Sequence, residues 1–313
     1  MLKIVFMGTP DFAVPSLKAL HSAGHEILAV VTQPDKMKGR GKKVSFTPVK
    51  EAAIELGIDV YQPKKVGEEE FVNKLRGLNA DVIVVAAFGQ ILPKSILEMC
   101  KYGCINVHAS LLPKYRGAAP IQWAVINGEE KSGVTIMQMG EGLDTGDIIS
   151  VKEIELQKKE TGGSLFDKLA QVGASLLVET LVDVENGNAK ATVQNEDEAT
   201  YVGMIKKSMG EIDFSKEAEE IERLVRGLSP WPSAFCKYND KTLKIWDCDV
   251  VDNVEGMSDA VYGEVVKTTK TAIYVKTAKG AIAINELQLE GKKRMDTASF
   301  LLGYKVEKGT IFK

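Results

Sequence analysis

The first 150 residues alternate short apolar runs with stretches whose apolar positions recur every three to four residues, the pattern of a parallel sheet covered by helices. Lys3 to Met7, Glu26 to Thr32, Asp81 to Phe88, Cys104 to His108 and Val134 to Met139 are the predicted strands. The unbroken apolar run Val82-Ile83-Val84-Val85-Ala86-Ala87 predicts a strand buried on both faces. Helices are expected over Asp11 to Ala23, Thr47 to Leu56 and Glu68 to Arg76, the second opened by Thr47 as N-cap and Pro48 in the first turn. The expected class is α/β: a Rossmann-like, mostly parallel sheet with helices on both faces.

A long helical pattern from Ser164 to Val184 stops at Glu185-Asn186-Gly187, and a polar stretch without periodicity runs from Lys190 to Lys207. This predicts a first domain at 1–189, a linker at 190–207 and a second domain at 208–313. In the second domain Ser215 is expected to cap a helix whose residues Ala218, Ile221, Leu224, Val225 and Leu228 share one face, and Ser229-Pro230-Trp231-Pro232 stops it. Four runs rich in β-branched residues, Thr242 to Trp246, Val261 to Val266, Ala272 to Thr277 and Ala281 to Leu287, predict a small OB-like β-barrel. Trp231 and Trp246 are expected to pack in its core rather than to stack on bases.

Length and composition sharpen this picture. A chain of 313 residues suits two domains, and 44% hydrophobic with 27% charged residues excludes disordered and fibrous classes. No apolar run reaches the roughly 18 residues of a spanning helix. The first strand runs directly into Gly8-Thr9-Pro10-Asp11 with no cleavage site, so a cytoplasmic chain with no membrane contact is expected. Cys100, Cys104, Cys236 and Cys248 lack metal-binding spacing, which predicts reduced structural thiols and no metal. A net charge of -3 excludes a protein that coats nucleic acid by bulk charge. Six cations, Lys36, Lys38, Arg40, Lys42, Lys43 and Lys50, nevertheless occur together without an acid, and ten basic against four acidic residues follow from Val265 onward. Gly39 and Gly41 let the first cluster bend so that its cations can engage phosphates or unpaired bases; a solvated charged loop is the alternative.

Candidate chemistry concentrates in Cys104-Ile105-Asn106-Val107-His108, where strand alternation points Asn106 and His108 to the same side. At the carboxyl end of a strand an amide can donate to a developing oxyanion, and an imidazole can exchange a proton near neutral pH. Taken alone, His108 reads first as a hydrogen-bonded core histidine, but it is not isolated from other candidate groups. His21 and His25, at the end of the first helix, are expected to face solvent. Asp144, in the turn Gly142-Leu143-Asp144-Thr145-Gly146-Asp147, can orient His108 or close an Asx turn. The lone Gly8, without a GxGxxG pattern, does not support dinucleotide binding.

The segment Asn106-Val107-His108-Ala109-Ser110-Leu111-Leu112-Pro113 and the stretch from Gly133-Val134-Thr135-Ile136-Met137-Gln138-Met139 through Asp144-Thr145-Gly146 resemble the two signatures of folate-dependent formyltransferases. The resemblance covers essentially the whole chain. It implies Asn106, His108 and Asp144 as the catalytic trio and 10-formyltetrahydrofolate as co-substrate, without a metal. It also places the carrier against Ser110, Leu111, Leu112 and Pro113, with Phe88, Gln90, Ile91, Leu92 and Gly140 lining the pteridine pocket. Within the family, Phe6-Met7-Gly8-Thr9-Pro10-Asp11-Phe12-Ala13 is similar to the methionyl-tRNA, amino-sugar and hydrolase branches, and excludes only the glycinamide branch. The insertion from Gln33 to Lys43 and the carboxyl-terminal domain resemble those of the branch that formylates charged initiator tRNA for translation initiation. That resemblance implies tRNA contacts at Lys38, Arg40, Lys42 and Lys43 and a monomeric enzyme. Two rivals stay open: a formyltransferase or hydrolase acting on a small molecule, which shares the trio, and a non-catalytic RNA-binding protein, which needs only loop and barrel.

Overall fold

The first apolar run, Lys3–Gly8, forms strand β1 inside a seven-stranded sheet of the computed structural model, which describes residues 1–38 and 43–313. After it come α1 (Val14–Ser22), β2 (Glu26–Val31) and a hairpin of β3 (Lys36–Lys38) and β4 (Lys43–Ser45). Next are α2 (Pro48–Glu55), β5 (Val60–Tyr61), α3 (Glu69–Gly77), β6 (Val82–Ala86), the single turn α4 (Lys94–Leu97) and β7 (Cys104–His108). There follow β8 (Arg116–Gly117), α5 (Pro120–Ile126), β9 (Lys131–Gln138), β10 (Ile148–Glu155) and α6 (Gly162–Asn186). The strand order is β10-β9-β7-β6-β1-β2-β5, parallel from β7 through β5 and antiparallel at the β9 and β10 edge.

Burial on both faces explains the continuous apolar strands. Val5 and Met7 of β1 join Val72 and Leu75 of α3 and Cys104 of β7 in one core cluster. Ile4 and Phe6, alternating to the opposite face, are also fully buried. On that second face α6 approaches closely: a Cβ on Gly173 would sit 2.9 Å from Val107. Helices therefore cover both sides, and β7 presents Cys104, Asn106 and His108 to the α3 side with Ile105 and Val107 toward α6. Thr47 caps α2 by accepting from the Lys50 N–H at 3.2 Å, as its sequence predicts.

The chain forms two compact units: 1–120, 131–155 and 166–202 in the first, and 121–130, 156–165 and 203–313 in the second. Residues 190–207, expected to be irregular, carry a 3-10 turn at Glu196–Glu198 and strand β11 (Tyr201–Val202), which pairs in parallel with β8.

The second unit has α7 (Ala218–Gly227), β12 (Ala234–Tyr238), β13 (Lys241–Val251), β14 (Val265–Thr268), β15 (Ile273–Lys276), β16 (Ala281–Leu289), β17 (Met295–Asp296) and α8 (Thr297–Gly303). The antiparallel order β12-β13-β16-β15-β14 would leave two edges, and the last residues close them. Val265 N–H donates to Thr310 O and Phe312 N–H to Gly263 O, both at 2.8 Å, while Lys313 N–H donates to Lys237 O at 3.1 Å. The carboxyl-terminal segment thus bridges the β14 and β12 sides, which makes the sheet a small barrel without long open edges. Ile221 and Val225 of α7 lie in the same core as Leu243, Ile245, Ile284 and Phe300.

Two local expectations are corrected. Ser215 does not cap α7: its hydroxyl and N–H both donate to Asp213, and the helix starts at Ala218, where the preceding Glu217 N–H donates to Glu220. Trp231 is not a core residue; held between Pro230 and Pro232 in the turn after α7, it is 60% exposed. Trp246 is half-buried on β13, with the Arg294 guanidinium 4.6 Å from its ring. Among the described residues no helix is long and apolar enough to cross a membrane.

Candidate active site

β7 ends where its apolar alternation ends, and this fixes Asn106 and His108. Asn106 is paired on one side with Val85 of β6 and on the other with Met137 of β9, so its amide is carried by a strand with neighbours on both edges. Asn106 and His108 are 8% and 6% exposed, buried polar groups at the carboxyl end of a strand. The Asp144 carboxylate comes to His108 from the turn that follows β9, with Oδ2 3.7 Å from Nδ1. The same Oδ2 accepts from the Gly117 N–H at 2.8 Å, and Asp144 itself holds φ of +53°.

A carbonyl can only accept, so the 3.1 Å contact between His108 Nε2 and Tyr115 O makes Nε2 the protonated nitrogen and leaves the Nδ1 lone pair facing Asp144. Burial pushes the His108 pKa below the ordinary imidazole value, against the opposing pull of the Asp144 charge and the Tyr115 carbonyl. His108 is therefore neutral at rest. His21 is exposed, whereas His25 is half-buried and accepts the Leu2 N–H at 3.2 Å, so only the first faces solvent as expected.

The segments expected to hold the carrier border this centre. The Ser110 hydroxyl donates to Lys114 O at 2.7 Å, and Thr135 ties the segment down by donating to Ser110 O and accepting from the Leu112 N–H. Leu111 packs beside Gly133 of β9, and the Leu112-Pro113 bond is cis. Phe88 and Leu92 are buried in the cluster that Met139 joins, whereas Ile91 is 87% and Leu143 59% exposed. Lys94 Nζ lies 3.5 Å from Glu141 Oε1, so the 88–94 and 140–144 segments flank one region. Open apolar side chains beside buried polar ones suit a flat heteroaromatic ligand with a polar edge. Gln90 turns away from it, accepting from Val66 N–H at 2.8 Å.

Gly140 and Gly146 face each other across the turn, and a Cβ on Gly146 would stand 1.7 Å from Gln138 O. Gly146→Ala is expected to destabilise the protein by about 1–3 kcal/mol and to displace the Asp144 turn, seen as a lower denaturation midpoint together with lost activity. Among the described residues no three His, Cys, Asp or Glu side chains gather as a metal-binding group.

Of the cations expected to contact tRNA, Arg40 and Lys42 lie outside the described residues, and Lys38 and Lys43 pair across the β3–β4 hairpin. The base of that hairpin is anchored. Gln62 donates to Gln33 O at 2.9 Å and to Asp35 Oδ1 at 2.8 Å, and Lys50 pairs with Asp35, whose carboxyl it holds below the usual range. Lys50 is thus spent inside the protein. Sequence reasoning missed Arg116 and Gln194, which surround the Asp144 turn from 78 residues apart with no shared periodicity to reveal them.

The formyl transferase family model matches residues 2–181, and the model of the formyl transferase carboxyl-terminal domain matches 204–305. The chain belongs to the formyl transferase family. It is 58% identical over 311 residues to the methionyl-tRNA formyltransferase of Agathobacter rectalis and 54% identical over 310 residues to that of Clostridioides difficile, with 99% of each chain covered in both cases. Among solved structures it resembles WlaRD, a sugar 3N-formyl transferase in the presence of dTDP and 5-N-formyl-THF. The TM-score is 0.67 at 21% identity, with 94% of this chain and 99% of that one covered. It also resembles HypX from Aquifex aeolicus in complex with tetrahydrofolic acid, at a TM-score of 0.64 and 18% identity over 99% of this chain and 50% of that one. The last two likenesses concern the fold.

Proposed function

We propose that this protein transfers the formyl group of 10-formyltetrahydrofolate to the α-amino group of methionyl initiator tRNA. One observation carries the chemistry: Asn106 and His108 are buried on one face of β7, and His108 meets a carboxylate fixed on the turn after β9. The full-length identity to methionyl-tRNA formyltransferases supports the acceptor. The first unit carries the chemistry and the barrel, with its basic second half, contributes to tRNA binding.

The carrier supplies a formyl carbonyl whose oxygen gains negative charge as the amine adds to its carbon. Asn106 donates to that oxygen from a position fixed by the sheet. Neutral His108 takes up the proton released by the amine at Nδ1, and Asp144 stabilises the resulting imidazolium. That cation then faces the oxyanion, and its proton can return to the departing folate nitrogen. Cytoplasmic residence accords with free thiols that are half-buried at Cys100 and buried at Cys104: desolvation pushes Cys100 up to about 11 and Cys104 up to about 12, where both stay protonated.

The test is transfer of labelled formyl to charged initiator tRNA, with uncharged initiator and charged elongator tRNA as controls. Folate turnover without labelled tRNA would move the acceptor to a small molecule or water. Arg40→Ala is expected to raise KM for tRNA at unchanged KM for folate, and equal kinetics for both substrates would remove the loop from tRNA binding.

A further inference from the structure

Arg116 is 0% exposed, and its charge is fully partnered by residues of the segment after α6. Nε and Nη2 donate to Gln194 Oε1 at 3.1 and 2.9 Å, Nη1 and Nη2 to the two Glu196 oxygens at 2.9 and 2.7 Å, and Nη1 to the Tyr201 hydroxyl at 2.8 Å. Gln194, 5% exposed, spends the other half of its amide on the Asp144 turn: Nε2 donates to Asp144 O at 2.8 Å and to Gly146 O at 2.6 Å. Both amide hydrogens and both oxygen lone pairs are used. The amide has one workable orientation, because a flip would set NH₂ against a guanidinium and oxygen against two carbonyls.

The same strap also builds the other anchor of Asp144. Thr192 and Ile148 exchange both backbone hydrogen bonds at 2.8 Å, and Arg116 N–H donates to Thr200 O at 2.8 Å. β11 pairs with β8, where Gly117, at φ of +111°, passes so close to Val202 that a Cβ would lie 2.3 Å from its oxygen. Gly117 is the residue whose N–H holds the Asp144 carboxylate. Residues 192–202 fall between the two stretches that the family models match, 2–181 and 204–305.

We propose that Gln194 is a positioning residue for formyl transfer, which holds Asp144 against His108 by clamping the carbonyls of its turn to the buried Arg116. This rests on the reading of Asp144 given above. Gln194→Glu separates this role from a merely structural one, since it keeps an acceptor for Arg116 but turns the donor into an oxygen facing two carbonyls. Gln194→Leu removes both halves.

The test compares kcat, both KM values and the pH dependence of kcat for Gln194→Glu, Gln194→Leu and Asp144→Asn in the full-length enzyme, with melting curves for each. Gln194→Glu is expected to fold with a lowered melting midpoint and to lose about 10- to 100-fold in kcat at KM values within about twofold. Gln194→Leu is expected to lose a similar factor, with the acid limb of kcat moved to lower pH because Asp144 no longer sits beside His108. Parent-like kcat in a folded Gln194→Glu, with Asp144→Asn inactive, would overturn the proposal; so would an unmoved acid limb in a folded Gln194→Leu. If Gln194→Leu does not fold, the Gln194→Glu kinetics decide alone. Parent-like turnover by Asp144→Asn would overturn the reading of the site itself, and the proposal with it.

Discussion

Asn106→Ala is expected to lower kcat by about 100- to 1000-fold, the usual loss on removing one oxyanion donor, with both KM values nearly unchanged. The reasoning is geometric. Asn106 is held by backbone pairing on both sides, so deleting its amide leaves β7 in place between Val85 and Met137. The amide's benefit arises only once negative charge develops on the formyl oxygen, so ground-state binding is spared. Steady-state kinetics beside a melting curve check this, and a folded Asn106→Ala enzyme within tenfold of the parent would remove the amide from the mechanism.

Asp144→Asn is expected to cost about 1000-fold or more in kcat, as loss of the carboxylate beside a catalytic imidazole does elsewhere. It also makes a prediction whose sign follows from the site. In the proposed mechanism His108 works from its neutral form, so the rate is expected to fall on the acid side as His108 becomes protonated. Burial depresses its pKa, while the Asp144 charge and the Tyr115 carbonyl pull upward and only partly offset that. The acid limb of the parent should therefore lie below the ordinary imidazole value of about 6.5. Asp144→Asn removes an upward pull, so the limb of its residual activity should move to still lower pH. A residual limb at the parent's position would show that the carboxylate does not act on His108.

The sequence carried the placement of Asn106 and His108 because its information there is local. Alternation along Cys104–His108 was enough to put Asn106 and His108 on one face, and β7 has the expected bounds. Apolar runs likewise revealed the strands that both faces bury. What stayed hidden depends on long-range partners or on half-buried positions. β10 has no buried residue and gave no strand pattern, and α5, with seven residues, is too short to show a period. The barrel closes through backbone bonds of residues 310–313, which no side-chain pattern encodes. The strap from Thr192 to Val202 looked like a connector because it is polar and mostly exposed, yet Gln194, Glu196 and Tyr201 all bond one buried guanidinium.

The strap also fixes when the catalytic turn can be finished as the polypeptide is made. The three central residues and the whole sheet are encoded before Asn186, but the amide that clamps the Asp144 turn arrives with Gln194, and the backbone that pairs the Arg116–Gly117 strand arrives with Thr200 and Val202. A nascent chain stalled behind α6, or a recombinant fragment trimmed there, would contain Asn106, His108 and Asp144 but none of the side chains that pair the Arg116 guanidinium. Any piece that keeps the turn as it stands in the whole protein must reach at least Val202.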